Sequence, residues 1–282
     1  MTSKRNGATA LIEALVAQGV TTVFGVPGEE TTDLMTAIEQ SELEFILCRH
    51  EQAAAFMASV HGRLKGVPAV CLATLGPGAT NLVTGVADAQ LDHVPLIAIT
   101  GQAPRARLKR ESHQVIDLEA LFAPVTKFSR TLGQADDIPA TVAEAARLSA
   151  HEKPGPVHLC LPEDVAQEMT DAQIITARPL RFGTPNAANL KEVSDAIKGA
   201  KRPVLVAGAG VLRSNASDAL RAFVDATQIP LVTTFMAKGM LPKDHPQMLF
   251  SLGQPEEDII DHALDAADLF IAVGVAPGGY GT

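Results

Sequence analysis

Tryptophan is absent from this chain of 282 residues, and tyrosine occurs once. Aromatic residues make up 4% of the composition, although apolar residues as a whole make up 46%. The chain can therefore bury a substantial core, but it has to build that core mainly from alanine, valine, leucine and glycine. Such residues suit helices packed closely on a parallel sheet, and the length allows one large domain or two ordinary ones.

Basic residues are in deficit, because 23 lysines and arginines stand against 32 aspartates and glutamates. The formal net charge of −9 disfavours nucleic acid and anionic membranes as partners, since both need basic surface. The basic run at 105–110, RARLKR, is short and is interpreted as a solvated loop. No apolar run approaches the length of a signal peptide or a membrane-spanning helix, so we expect a cytoplasmic protein.

Cysteines are few and widely separated, at Cys48, Cys71 and Cys160. Each lies in an apolar run typical of a strand, and no C-x-x-C spacing occurs. We therefore expect buried free thiols in a reducing compartment. Histidine spacings such as H-E-x-x-H are missing as well, so the sequence predicts no metal site within the chain.

Helix and strand patterns alternate along the chain, and strands such as PAVCLAT and VPLIAIT are almost continuously apolar. Apolar strands between amphipathic helices predict a parallel sheet covered on both faces. We expect an α/β fold with a first domain over 1–165, a polar linker over 166–188 and a Rossmann-like domain over 189–282. The last domain is expected to be partial, because the chain stops just after an apolar strand.

Three polar or glycine-rich turns follow strands, namely CRHEQ at 48–52, ATLGPGATN at 73–81 and AITGQ at 98–102. Ligands of open parallel sheets bind beyond the carboxyl ends of the strands. The coincidence of the three turns therefore predicts a binding site at that edge of the sheet.

Each candidate motif also has a purely structural explanation. Glu51 follows LEFILC, a strand expected to be buried, and an acid in the first helical turn gains about 0.3 to 1 kcal/mol from the helix dipole. The alternative is a catalytic acid near a cofactor. GPGATN at 76–81 fits either a phosphate-binding helix N-terminus or a tight turn. VAGAGVL at 206–212 is interpreted as a turn, because Arg213 replaces the third glycine of a dinucleotide fingerprint.

Several longer stretches follow one another at close spacing: FGVPGE, CRHEQAAAFMA, TLGPGATNLVTGVADAQLDHVPLIAITGQ and HQVIDLEALFAPVTKFS. In this order they resemble the N-terminal, pyrimidine-binding domain of thiamine-diphosphate-dependent enzymes of the acetolactate synthase group. RPVLVAGAGV and IPLVTTFMAKGMLP resemble the start of the central domain of that family. The resemblance covers nearly all of residues 6–275.

The resemblance implies that Glu51 is the acid that binds N1′ of the aminopyrimidine ring of thiamine diphosphate. An acid at that position favours the 4′-imino tautomer, which removes the C2 proton of the thiazolium, while the cofactor carries the difficult chemistry. The resemblance also implies that Pro77, Gly78 and Asn81 bind the pyrimidine. Gln114 matches a glutamine near the thiazolium and the substrate.

On the substrate side the resemblance implies His113, Gln114 and Lys127, with pyruvate as the first small 2-keto acid. The implied reaction decarboxylates pyruvate and adds the resulting enamine to a second 2-keto acid. Another thiamine-diphosphate decarboxylase or carboligase, or a non-catalytic dimerising chain, stays open as an alternative. The family implies a homodimer or homotetramer, and the small residues of AAAFMA and ATNLVTGVADA would permit close approach of helices.

Two features of the family are missing from this sequence. Mg²⁺ and the diphosphate are held in the family by a G-D-G motif of a third domain, and no G-D-G occurs here. We therefore expect a truncated chain whose Mg²⁺ site lies in that missing domain. Anabolic members carry an arginine-rich segment that helps to bind FAD, whereas VAPGGYGT stands at 275–282 here, so we expect poor FAD binding.

Overall fold

The computed structural model describes residues 4–178, 183–252 and 259–276. The chain divides into two compact units, Met1–Arg181 and Phe182–Thr282, each with its own sheet and core. The division falls inside the predicted linker at 166–188. The exact domain boundaries stay a prediction.

Strands and helices alternate along the first unit. In chain order they are β1 (Arg5–Asn6), α1 (Gly7–Ala17), β2 (Thr22–Gly25), α2 (Thr32–Glu39), β3 (Glu44–Leu47), α3 (Glu51–Lys65), β4 (Ala69–Ala73), α4 (Pro77–Leu91), β5 (Leu96–Gln102), α5 (Leu118–Phe122), β6 (Phe128–Thr131), α6 (Ile138–Ala150), β7 (Pro156–Pro162), α7 (Glu163–Gln167) and β8 (Met169–Thr170).

Six strands of this unit form a sheet in the order β3-β2-β4-β5-β7-β6, and every neighbouring pair is parallel. The predicted α/β class with a parallel sheet is thereby confirmed. After β3 the chain crosses back over β2 to form β4, so the direction of winding reverses between β2 and β4. In open parallel sheets, the crevice outside the carboxyl ends at such a reversal is the usual place of a ligand.

Helices cover both faces of the sheet. Alternate strand residues point to opposite sides, and in this sheet both sides are apolar. On one face α1, α2 and α6 pack against residues such as Val70 and Ile97. On the other face α3, α4 and α5 pack against residues such as Cys71 and Ala98. Where α3 and α4 meet, a side chain on Gly85 would lie 2.5 Å from Cβ of Ala55. The predicted close approach of small residues therefore occurs within the chain.

The three cysteines are free and buried, as the sequence predicts. Cys71 and Cys160 lie in β4 and β7, while Cys48 directly follows β3. Burial raises the pKa of the Cys71 thiol to about 12, which disfavours the reactive thiolate.

The strand before Glu51 is not buried, which corrects the expectation from its apolar sequence. β3 is an edge strand of the sheet and pairs only with β2 among residues 4–178. Leu47 is 68% exposed. An apolar run alone does not distinguish a central strand from an edge strand whose outer side is open.

The first residues of the predicted linker at 166–188 also form regular structure. α7 extends to Gln167, and β8 pairs antiparallel with β1, so that Met169 lies opposite Asn6. Because β1 directly precedes α1, this pairing attaches the start of the predicted linker to the first helix. Residues 179–182 of the predicted linker lie outside the described part.

The second unit repeats the alternation with α8 (Ala187–Gly199), β9 (Pro203–Ala207), α9 (Ala209–Arg213), α10 (Ser217–Thr227), β10 (Leu231–Thr233), β11 (Met248–Ser251), α11 (Ile259–Asp265) and β12 (Leu269–Val273). Over residues 183–252 and 259–276, its strands form a parallel sheet in the order β11-β10-β9-β12.

The glycine turn after β9 packs against the end of β12, a strand of the same sheet. The N–H of Gly210 donates to the carbonyl oxygen of Gly274 at 2.9 Å, and a side chain on Gly208 would overlap that oxygen. These glycines are explained by close packing against the end of β12, which supports their interpretation as a strand-to-helix turn. The segment 277–282, on which the expectation of poor FAD binding partly rests, lies outside the described residues.

α3 and α4 are the longest helices of the described part, with 15 residues each. A membrane-spanning helix needs about 20 predominantly apolar residues. Across the part of the chain that the structure describes, no helix is both long enough and apolar enough to cross a membrane.

His158 is buried in β7, which lies between β5 and the edge strand β6. Its Nε2 and Nδ1 lie 2.9 Å from the hydroxyl oxygens of Thr100 and Ser129, and its ring stacks on Phe122. The Ser129 hydroxyl donates its single proton to the carbonyl of Glu119. His158 Nδ1 must therefore donate to Ser129, while Nε2 accepts from Thr100. Burial lowers the pKa of His158 to about 3.

Because the pKa of His158 is lowered in the folded chain, we expect the unfolding free energy to fall in mild acid. The unfolded chain binds a proton near pH 6.5 and the folded chain only near 3, so stability falls as the pH drops below the unfolded pKa. Between about pH 7.5 and pH 5, the unfolding free energy should lose about 2 kcal/mol from this group. Urea unfolding at both pH values measures the loss. His158→Gln should reduce it, and the exposed control His151→Gln should leave it unchanged; equal losses in both variants would contradict the assignment.

Candidate functional site

The candidate site lies at the carboxyl ends of β2 to β5, where the turns predicted from the sequence meet. Glu51 begins α3, and the turn after β4 supplies Gly78 and Asn81 at the start of α4. The loop between β5 and α5 carries Gln114. The sheet brings these four residues together from three separate segments of the chain, because parallel strands share one carboxyl edge.

The Glu51 carboxylate is directed away from its own helix start. His50 already caps α3, since its Nδ1 accepts the N–H of Gln52 at 3.1 Å. Glu51 is 9% exposed, and its Oε2 accepts a hydrogen bond from Nδ2 of Asn81 at 2.9 Å. A carboxylate that only complemented the helix dipole would need neither burial nor a partner on the neighbouring helix.

Gly78 borders the other carboxylate oxygen of Glu51. A Cβ atom at this position would lie 3.3 Å from Oε1 of Glu51 and 2.8 Å from the methyl carbon of Thr74. The absence of a side chain thus lets the backbone of this turn lie close to Thr74 and leaves Oε1 without a Cβ atom covering it. Pro77 precedes it at the first helical position, where its missing N–H removes no helix hydrogen bond.

The loop that carries Gln114 packs closely against Gly76. Its backbone has φ 55° and ψ −121°, a conformation that only glycine adopts readily. A Cβ atom on Gly76 would lie 2.7 Å from the carbonyl oxygen of Gln114. The backbone of Gln114 also adopts a left-handed conformation, with φ 57°. The backbone of Gln114 therefore lies against the turn that begins α4, and both Gln114 and its neighbour His113 are exposed.

Lys127 does not join this site. It directly precedes β6, and its N–H donates to the carbonyl of Pro156, the first residue of β7. It therefore lies at the amino edge of the sheet, opposite Glu51. Its ammonium group donates to the carbonyls of Leu148, His151 and Lys153 at 2.6 to 2.8 Å, so it has no proton left for a substrate.

Desolvation of the ammonium group lowers the pKa of Lys127. Two of the carbonyls that it binds, those of Leu148 and His151, belong to the last turn and the end of α6. A cation there satisfies unpaired carbonyls and complements the helix dipole. Lys127 is a structural residue of the described fold.

Sequence reasoning missed Glu30 and Thr74. The Thr74 hydroxyl donates to Oε2 of Glu30 at 2.6 Å, which joins the turns after β4 and β2. The turn GVPGEE follows a strand just as the three recognised turns do, and this position was the signal that could have identified it.

Metal ligands are not gathered in the described part. Over residues 4–178, 183–252 and 259–276, no group of three or more His, Cys, Asp and Glu side chains is placed to hold a metal ion.

Comparison with known families matches both units. The family model described as "Thiamine pyrophosphate enzyme, N-terminal TPP binding domain" matches residues 5–121. The model described as "Thiamine pyrophosphate enzyme, central domain" matches residues 190–280. The chain belongs to the thiamine pyrophosphate (thiamine diphosphate) enzymes, and it contains their N-terminal and central domains.

Individual relatives narrow this family further. The chain is 39% identical over 277 residues to the "Probable acetolactate synthase large subunit" of Methanocaldococcus jannaschii, covering 95% of this chain and 46% of that protein. It is 38% identical to the acetolactate synthase isozyme 1 large subunit of Escherichia coli, covering 97% and 49%. Both of these relatives carry the name of an acetolactate synthase large subunit. The chain spans about half the length of these relatives.

Proposed function

We propose that this chain provides the pyrimidine-binding part of an acetolactate synthase-like carboligase. Such an enzyme decarboxylates pyruvate and joins the product to a second 2-keto acid. The observation that carries the proposal is the Glu51 carboxylate, which is 9% exposed, held by Asn81 and not covered by a side chain at position 78.

The residues present fit the aminopyrimidine ring of thiamine diphosphate. A buried carboxyl group can exchange a proton with a ring nitrogen, and the space that a Cβ on Gly78 would fill leaves access to it. When bound, the cofactor supplies the carbanion chemistry of the reaction. Glu51 would bind N1′ and hold or release the proton there, while the backbone of Gly76 to Gly78 would form one wall of the site.

Asn81 has a second role in this proposal. Its amide donates to Glu51, so it fixes the orientation of the carboxylate in addition to any contact with the ring. His113 and Gln114 would face pyruvate from the loop beside Gly76. Lys127 is not proposed as a substrate residue, because its ammonium group is bound at the opposite edge of the sheet.

Mg²⁺ and the diphosphate are proposed to bind to the part of the enzyme that the longer relatives have and this chain does not span. Fewer than half of the residues of the Methanocaldococcus relative align with this chain. FAD is not proposed as a cofactor, since Gly210 in the turn after β9 donates its N–H to the sheet.

The proposed function is tested with the pyrimidine half of the cofactor, 4-amino-5-hydroxymethyl-2-methylpyrimidine. This probe needs only the first unit, so the 282-residue chain is used as it is. In an NMR titration, we expect the amide signals of Glu51, Gly78 and Asn81 to shift saturably at millimolar probe. No saturable shift, or shifts confined to the amino edge of the sheet, would refute the proposal.

We further propose that the chain forms a homodimer through the outer faces of α3 and α4. Met57, Val60 and Leu64 form an exposed apolar stripe on α3, and Leu91 is 79% exposed on α4. Because these four side chains carry no charge, two copies of a chain of net charge −9 can bring the stripes together without direct repulsion.

Val60→Glu is the variant that tests the dimer. We expect the wild-type chain to sediment as a dimer at micromolar concentration and this variant to sediment as a monomer, since the change would place a carboxylate in the interface. Glu39→Gln, on the exposed end of α2, is the control and should stay dimeric. A monomeric wild-type chain, or a dimeric Val60→Glu variant, would contradict the proposed interface.

A further inference from the structure

A second carboxylate, that of Glu30, lies at the reversal of winding between β2 and β4. Glu30 follows β2, and its Oε2 accepts the hydroxyl proton of Thr74, which follows β4, at 2.6 Å. The hydrogen bond spans the crevice where an open parallel sheet binds its ligand. Thr74 has one hydroxyl proton, so the other oxygen of the carboxylate stays available to another partner.

Three glycines shape the surroundings of this pair. A Cβ atom on Gly28 would lie 2.7 Å from the Thr74 hydroxyl, and one on Gly78 would lie 2.8 Å from the Thr74 methyl carbon. A Cβ atom on Gly101 would lie 3.2 Å from Cβ of Glu30. A side chain at any of these positions would displace Glu30 or its partner, so the backbone around the carboxylate is built to accommodate it.

Glu30 and Glu51 are connected through Gly78. A Cβ atom at that position would meet both the methyl carbon of Thr74, which holds Glu30, and Oε1 of Glu51. We propose that Glu30 is a binding residue for the cationic part of the ligand, whereas Glu51 binds its neutral ring. This inference rests on the proposed function, because thiamine carries a neutral aminopyrimidine and a positively charged thiazolium. A ligand with both rings can satisfy both carboxylates.

A purely structural role makes a different prediction. If Glu30 served only to join two turns, Glu30→Gln would preserve that role, because the glutamine carbonyl can still accept the Thr74 proton. The substitution removes the negative charge alone. Its effect on a charged ligand therefore separates binding of a cation from support of the fold.

The experiment compares two probes on the complete 282-residue chain: thiamine, a cation, and the neutral 4-amino-5-hydroxymethyl-2-methylpyrimidine. Dissociation constants are measured by NMR titration at low salt. Glu30→Gln should weaken thiamine binding about fivefold and change binding of the neutral probe less than about twofold, as expected for one partly exposed charge pair. High salt should remove most of the difference between wild type and variant with thiamine.

Glu29→Gln is the matched control, because it makes the same change of charge at the adjacent, exposed residue. It should leave both dissociation constants at their wild-type values. An equal loss of thiamine binding in Glu29→Gln, or equal losses for both probes in Glu30→Gln, would overturn the inference. Failure of the proposed function gives a different result, namely no binding of the neutral probe at all or no effect of Glu51→Gln on it; the inference then falls as well.

Discussion

Glu51→Gln is expected to weaken binding of the aminopyrimidine probe roughly 10- to 100-fold, the range for losing a hydrogen bond to a charged group. The glutamine side chain has nearly the same shape, so the fold should persist. If Glu51 served only the start of α3, the change would lower the unfolding free energy by about 0.3 to 1 kcal/mol and leave probe binding intact. NMR titration and thermal unfolding of the same variant distinguish these outcomes.

Exchanging the acid and the amide between positions 51 and 81 tests whether Asn81 orients Glu51. Asn81→Asp alone would place a second carboxylate 2.9 Å from Glu51, and we expect it to reduce the unfolding free energy by about 1 to 3 kcal/mol. In the double variant Glu51→Gln, Asn81→Asp, the glutamine amide can donate to the aspartate. Stability should therefore recover, while probe binding should not, because the acid is absent from position 51. If stability did not recover in the double variant, the result would contradict the hydrogen bond between positions 51 and 81 as the cause of the loss.

Lys127→Met is expected to lower the unfolding free energy by about 1 to 3 kcal/mol, because three backbone carbonyls lose a charged donor at a partly exposed site. The methionine keeps most of the apolar stem that lies against Gly155. Binding of the aminopyrimidine probe should not change, since Lys127 lies at the amino edge of the sheet. Urea unfolding and NMR titration provide the two measurements.

Lys109→Met is the matched control for this prediction, because Lys109 is an exposed lysine in the basic run at 105–110. Its unfolding free energy should stay within about 0.5 kcal/mol of the wild-type value. A loss of probe binding in Lys127→Met, without a loss of stability, would restore the sequence-based assignment of Lys127 to the substrate side.

The sequence predicts the fold class correctly because apolar strands and amphipathic helices alternate on a short range. Strand order is a long-range property, and for that reason the edge position of β3 could not be read from LEFILC. The site is predictable where it depends on a simple rule, namely that turns after parallel strands share one edge. Glu51, Gly78 and Gln114 satisfy this rule. Lys127 precedes its strand, so the same rule would have placed it at the opposite edge.

The role of Glu30 could not be predicted from the sequence, because it depends on the order of strands in the sheet. Its hydrogen bond to Thr74 joins residues 44 positions apart, and it forms only because β2 and β4 are neighbours in the sheet. The glycine positions that surround the pair are likewise scattered along the sequence. No local pattern specifies that Gly28, Gly78 and Gly101 converge on the pair formed by Glu30 and Thr74.

The contact between Ala55 and Gly85 lies one helical turn beyond the pair formed by Glu51 and Asn81. Both pairs are spaced by four residues on each helix, so α3 and α4 run side by side in the same register. The distance between Glu51 and Asn81 therefore depends on the missing side chain of Gly85, which lets the two helices approach closely one turn away. Position 85 acts as a spacer for the site: a methyl group there would wedge the helices apart and lengthen the hydrogen bond without touching either polar group.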